Sequence, residues 1–219
     1  MDNYLFRIYM KGIYFILLLC LSTIPSLGLV LDRDAITQVT IWWFTFGISI
    51  AIIEFCMFIN QDYMSSEKCP IDDNTTWYTR EYPLSDMFNS KIWADGWKEY
   101  CKRSGDFRYL ETMRGDFVPW IEFINGIIAV IFGVYIIYGV TTRSLNSMLV
   151  ALAIIAISST QIFGTTVYFT SYYTKCFHKV KSMDLLWWMH LVLMNGLWLI
   201  FPTIVSVYAY NMLKTGDYI

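Results

Sequence analysis

Two glutamates stand inside stretches that are otherwise apolar: Glu54 in Val39–Asn60 and Glu122 in Val118–Val140. A charged carboxyl in bilayer hydrocarbon costs at least about 2.5–3.5 kcal/mol, so a residue kept there is by default a functional one. Glu54 comes six residues before the end of its stretch, and Glu122 four residues into its own. Both ends open onto the same long segment, so at 1.5 Å per residue both acids lie roughly 6–9 Å below one membrane face. Two carboxyls at one depth on consecutive helices can face each other. One neutral acid beside one ionised acid is the arrangement that general acid–base catalysis uses. The plainer alternative for either residue alone is an interfacial carboxyl satisfied by a nearby Tyr, Trp or Lys.

Other polar side chains accompany them. Asn125 follows Glu122 by about one turn and shares its helix face. Gln161, Thr165 and Tyr168 recur at i, i+4, i+7 and so line one face of a later stretch. His190, Asn195 and Trp198 occupy the last stretch, His190 at about the depth of the two acids. Singly, such residues are commonly helix–helix glue. Drawn from four helices, they describe a lined intramembrane cavity. The indole face of Trp198 suits a cation. The chemistry this set supports is proton transfer to a lipophilic small-molecule substrate, through a carbocation. The sequence holds no metal cluster, nucleophile triad or phosphate loop, so no metal and no cofactor are expected.

The elements that must position these residues are membrane helices. Of 219 residues, 56% are hydrophobic and only 16% charged, and the mean hydropathy is +0.45. A soluble domain carries about a quarter charged residues. Five stretches reach the roughly 20 residues that a span needs: Lys11–Leu31, Val39–Asn60, Val118–Val140, Ser147–Thr170 and Leu185–Tyr210. The expected fold is therefore all-α and integral to the membrane, five transmembrane helices enclosing a cavity in a single domain, 1–219. The first stretch reads as an anchor, since Pro25-Ser26 gives no clean cleavage pattern. Five spans place the termini on opposite faces. The N-terminus, the loop 61–117 and the loop 171–184 then share one face, which carries 13 of the 16 Lys and Arg. The positive-inside rule makes that face cytosolic, and the sequon Asn74-Thr75-Thr76 tests it, because only a lumenal loop is glycosylated. The loop 61–117 is rich in aromatics (Trp77, Trp93, Trp97, Tyr100, Phe107 and Tyr109), which suits a folded cap or an interfacial helix. Cys69 and Cys101 lie within it, either as a disulfide or as two free thiols. A net charge of −2 without a basic patch gives no reason to expect nucleic acid. Membrane lipid and a second copy of the chain are the remaining candidate partners.

Four strings carry a resemblance. Trp97-Lys98-Glu99-Tyr100 followed by Asp106-Phe107-Arg108-Tyr109, Gln161-Ile162-Phe163-Gly164 with Val167-Tyr168-Phe169, and Met194-Asn195-Gly196-Leu197-Trp198-Leu199 with Pro202 occur in that order. With the span order and the long second loop, the region Trp42 to Leu213 resembles the emopamil-binding protein (EXPERA) family. That family is known for sterol delta8–delta7 isomerases of the endoplasmic reticulum. They shift a double bond by protonation and deprotonation, without a cofactor. The resemblance implies that Glu54 and Glu122 are its two membrane glutamates, Asn195 its fifth-helix amide and Trp198 its cation-stabilising indole. The chain departs from the pattern at three positions: Ile50 stands where the family has a histidine, Asn125 where it has a threonine, and Thr165 where it has an aspartate. His190 is a second position from which an imidazole could serve. The retained acids and the missing histidine together imply a divergent isomerase or cyclase working on a sterol-like or terpenoid lipophile. The alternative is a non-catalytic lipid-binding or trafficking relative of the sigma-2 receptor.

Overall fold

The computed structural model describes residues 9–12, 23, 32–66, 68, 71, 76–109, 118–180 and 183–219. Long helices dominate: α1 (Ala35–Ile59), α2 (Ser90–Ser104), α3 (Val118–Thr142), α4 (Ser147–Lys175) and α5 (Met194–Thr215). A π-helical segment, Trp188–Leu193, leads without a break into α5. Four spans are long and apolar enough to cross a membrane: Ala35–Ile59, Pro119–Thr142, Ser147–Lys175 and Trp188–Thr215. They coincide with four of the five expected stretches. The other, Lys11–Leu31, lies outside the described residues apart from Lys11, Gly12 and Thr23.

The spanning sequences are rich in Ile, Val, Thr and aromatic residues, which have modest helix propensity in water. In hydrocarbon no water satisfies a backbone N–H, so an unpaired single segment must be helical. The polar edges are capped. Asp34 accepts from the backbone N–H of Ile36 and Thr37 at the start of α1, and Asn146 from Leu149 at the start of α4. The main packed pairs are α1 with α3 and α4 with α5. Small residues set the first approach. A Cβ added to Gly133 would stand 3.1 Å from Ile48, and one on Gly126 would stand 3.6 Å from the Ala51 Cβ. Trp43, Ile136, Val150, Ile154, Tyr208 and Met212, all fully buried, form the centre of the bundle core.

The long loop is folded over one end of the bundle. Strand β1 (Tyr9–Lys11) pairs antiparallel with β2 (Glu81–Pro83), Tyr9 opposite Pro83. Helix α2 starts at the Asn89 cap and stops at Gly105, whose φ of 71° is left-handed. It turns Ile92, Trp93, Ala94 and Cys101 inward, and buries two acids that the cap itself satisfies. Asp95 accepts from the Tyr63 and Tyr82 hydroxyls, and Glu99 from Thr76, the Trp77 backbone and Arg103. Residues 9–11 thus lie at the cap end. At the far end, Arg143 donates to the Ile219 carbonyl and Tyr218 to the Leu145 carbonyl. Residues 9–11 and the C-terminus therefore sit at opposite ends of the bundle. Cys101 is a buried free thiol, so of the two expectations for it the thiol holds and the disulfide with Cys69 does not. Cys69, Asn74 and Thr75 lie outside the described residues.

Candidate functional site

The cap end of the bundle gathers most of the residues singled out from sequence. Glu54 is buried on α1 with its carboxyl over Gly126 of α3, where a Cβ would come within 3.4 Å of its Oε2. Glu122 lies one turn earlier on α3. The two carboxyls lie close enough on facing helices to act on each other. Tyr109 donates to the Glu122 Oε1 at 3.0 Å. Burial first, then the charges of Glu122 and Asp106, push the Tyr109 hydroxyl up, so it remains a donor. Asn125, the next polar residue on α3, sets its amide nitrogen against Gly164 of α4, 3.1 Å from where a Cβ would stand. The glycines of the sequence thus bring three backbones close around the acids.

A second network lies beside the first. Arg108 forms a bidentate pair with Asp106, at 2.8 and 2.5 Å, and also donates to the Tyr168 carbonyl. Burial would lower the Arg108 pKa, but hydrogen bonding and charge from Asp106 outweigh it and push it up. The Tyr168 hydroxyl donates to Asp106 and meets the Tyr100 hydroxyl at 2.7 Å. Asn195 reaches the Tyr100 hydroxyl at 2.9 Å and the Leu191 carbonyl at 2.8 Å. The latter belongs to the π-helical turn, a device that frees carbonyls and re-aims side chains. Asn195 and Tyr168 are therefore tied into the cap. His190 is buried, but its Nε2 bonds the Tyr78 hydroxyl and its ring neighbours are Tyr78 and Tyr100. It is packed among the cap tyrosines.

The remaining candidates lie deeper. Trp198 meets Trp43 edge-on at 4.8 Å, and Trp43 stacks on Phe201 at 5.0 Å. Ile50 is half-buried against the same aromatic group. The Trp43 indole N–H donates to the Gln161 Oε1 at 3.3 Å, and Thr165 is buried on the same α4 face. Trp43 precedes Glu54 by eleven residues, about 16 Å along the helix. Trp198 is thus set well below the carboxyls, not against them. Sequence reading passed over the roles of Tyr100, Asp106, Arg108 and Tyr109. All four stood inside the quoted strings, where their value as anchors of α4, α5 and Glu122 could have been sought.

The family profile of EBP, EXPERA (EXPanded EBP superfamily), matches residues 92–209. That range takes in Glu122, Asn125, the α4 face, His190, Asn195 and Trp198, but ends short of Glu54 and Ile50. A search of curated proteins finds no match.

Proposed function

The chain belongs to the emopamil-binding protein family, EXPERA, and from that premise we propose that it is an intramembrane acid–base enzyme, a cofactor-independent isomerase or cyclase of a sterol-like or terpenoid lipophile. Family membership suggests a sterol isomerase-like or sterol-binding function, and the family's seat in the endoplasmic reticulum membrane is the expected location. The observation that carries the catalytic reading is the adjacency of the Glu54 and Glu122 carboxyls on two packed, facing helices. The Tyr109 hydroxyl, donating to Glu122, favours the ionised form of that carboxyl and supports reading Glu122 as the base and Glu54 as the proton donor.

The chemistry balances without a co-reactant. Glu54 gives its proton to one carbon of a double bond, or to an epoxide oxygen, and positive charge is left on a neighbouring carbon. Glu122 removes a proton from the carbon beside the cation, and the C–H electron pair closes the new double bond. The proton then returns from Glu122 to the adjacent Glu54. Well-placed acid and base groups contribute about 10²–10⁴-fold each. An indole about 16 Å deeper suits a reaction in which the charge travels along the substrate, as in a cyclisation. It suits less well one in which the charge stays beside the acids.

The non-catalytic reading has one observation in its favour, Ile50 in place of the family histidine. Purified protein incubated with a delta8-sterol and with an acyclic terpenoid epoxide separates the two. The enzyme reading expects conversion of at least one, lost in Glu54→Gln and Glu122→Gln. Tight binding of both with no conversion of either supports a carrier.

A further inference from the structure

Among the described residues two buried hydroxyls on α4, those of Ser158 and Ser171, have no hydrogen-bond partner, and Ser158 is the one deep in the span. Ser158 is fully buried, and its hydroxyl makes no hydrogen bond. Most serines and threonines of these helices bond a carbonyl one turn back, as Thr45, Ser49, Thr166 and Ser206 do. Ser158 does not, although it lies near the middle of a 29-residue span where no bulk water reaches it. Leaving a hydroxyl unsatisfied in an apolar setting costs about 1–3 kcal/mol.

Its neighbour one turn on is Gln161, whose Oε1 is taken by Trp43. The Gln161 Nε2 has no protein partner among the described residues. Ser158 and Gln161 are i and i+3, so the hydroxyl and the amide project from the same face, the one that carries Thr165 and Tyr168 toward the cap. Asn125 lies against Gly164, and Glu122 is three residues nearer the cap. Counting six residues back from Gly164 to Ser158 and three from Asn125 to Glu122 gives nine, about 14 Å between acid level and serine. Aromatic rings of Trp43, Trp198 and Phe201 stand at the deep end.

We propose that Ser158 and Gln161 form a deep oxygen-recognition subsite, and that the substrate is an elongated lipophile with an acceptor oxygen (hydroxyl, carbonyl or ether) about 14 Å from the carbon–carbon bond or epoxide at the acids. The claim deepens the proposed function and rests on it for the position of the reacting end. Two free donors select an acceptor oxygen, and the aromatic wall accepts the carbon skeleton around it. A rigid sterol whose hydroxyl and nuclear double bond lie in adjoining rings is too short to occupy both ends. An isoprenoid chain with an oxygenated terminus reaches both.

The test uses the full chain in lipid nanodiscs and two probes, geranylgeraniol and the matching hydrocarbon without its hydroxyl. Quenching of tryptophan fluorescence reads their binding, since Trp43 and Trp198 adjoin the subsite. Wild type is expected to prefer the alcohol about tenfold, the size of one hydrogen bond in an apolar site. Ser158→Ala and Gln161→Leu should each cut that preference severalfold and together remove it, with the hydrocarbon bound as before. Ser158→Ala should leave thermal unfolding unchanged, while Gln161→Leu also strips the buried Trp43 indole of its acceptor and is read on folded protein only. No preference in wild type, or one that survives both substitutions in folded protein, overturns the subsite. Turnover in Glu54→Gln reports separately on the acid pair, so either reading can fail while the other stands.

Discussion

Of the acids at the cap end, Asp106 and the Glu54–Glu122 pair are built oppositely. Asp106 is surrounded by donors: both arms of the Arg108 guanidinium, the Tyr168 hydroxyl, and the backbone N–H of Arg108 at 3.2 Å. Its charge is fully answered, and the pair ties the cap to α4. Glu54 and Glu122 face each other, with Tyr109 donating to Glu122 and no cation joined to either in an ion pair among the described residues. A satisfied ion pair holds structure and resists change. A like-charged pair that must share a proton is poised to move one. The comparison separates the scaffold of this membrane protein from its proposed chemistry, although both use buried carboxyls a few residues apart in the fold.

The largest expected effect falls on the scaffold. Asp106→Asn leaves the buried Arg108 guanidinium without its carboxylate, a loss of roughly 3–5 kcal/mol. A thermal unfolding scan in detergent should show a large drop, and an unchanged scan means that the pair is not what holds the cap. The acid pair should behave in reverse. Glu54→Gln or Glu122→Gln keeps the shape of the side chain and removes the shared proton. Turnover should fall at least about a hundredfold, with stability nearly kept. Collapse of stability in these variants together with normal activity of the folded fraction would merge the two sites into one structural role.

Trp198→Leu comes next. A desolvated cation over an indole is worth up to about 2 kcal/mol, or roughly thirtyfold in rate, while Leu preserves apolar bulk beside Trp43. Rate and unfolding temperature measured together decide it: a fall confined to stability makes Trp198 a packing residue. The smallest effect expected is that of Tyr109→Phe, which removes one hydrogen bond from Glu122 and should slow turnover about five- to tenfold. Its cap-side neighbours should keep the fold, so equal losses of rate and stability would count against Tyr109 as a positioning residue.

The sequence made some of this legible. Hydropathy carried the four spans, with their starts at Val118 and Ser147 read directly, because a span must be about 20 apolar residues whatever it packs against. The depth of Glu54 and Glu122 followed from counting residues, and their contact is the structure's addition. The cap was harder. Its acids, Asp95 and Glu99, look like solvated charges on an amphipathic helix, yet both are buried, because tyrosines and arginines from elsewhere satisfy them. The pairings Tyr100 with Asn195 and Tyr9 with Pro83 join residues 95 and 74 positions apart, and no periodicity signals such contacts. The π-helical turn at Trp188–Leu193 left no trace in hydropathy, since every register of an apolar run looks alike. Ser158 was invisible for the same reason: only a structure shows that its usual backbone acceptor is not used.

The central claim is that Glu54 delivers a proton to a carbon or oxygen of a lipophile inside the membrane. It is tested most directly by running the reaction in heavy water and weighing the product. Wild-type protein given an alkene substrate that it converts, such as a delta8-sterol, should return product carrying a single carbon-bound deuterium, because the acid proton exchanges with solvent between turnovers. An epoxide is not used, since its label would sit on oxygen and wash out. Glu54→Gln should return unlabelled starting material. Label incorporated at the wild-type rate by Glu54→Gln, or product formed from the alkene by wild type without carbon-bound deuterium, would contradict the account.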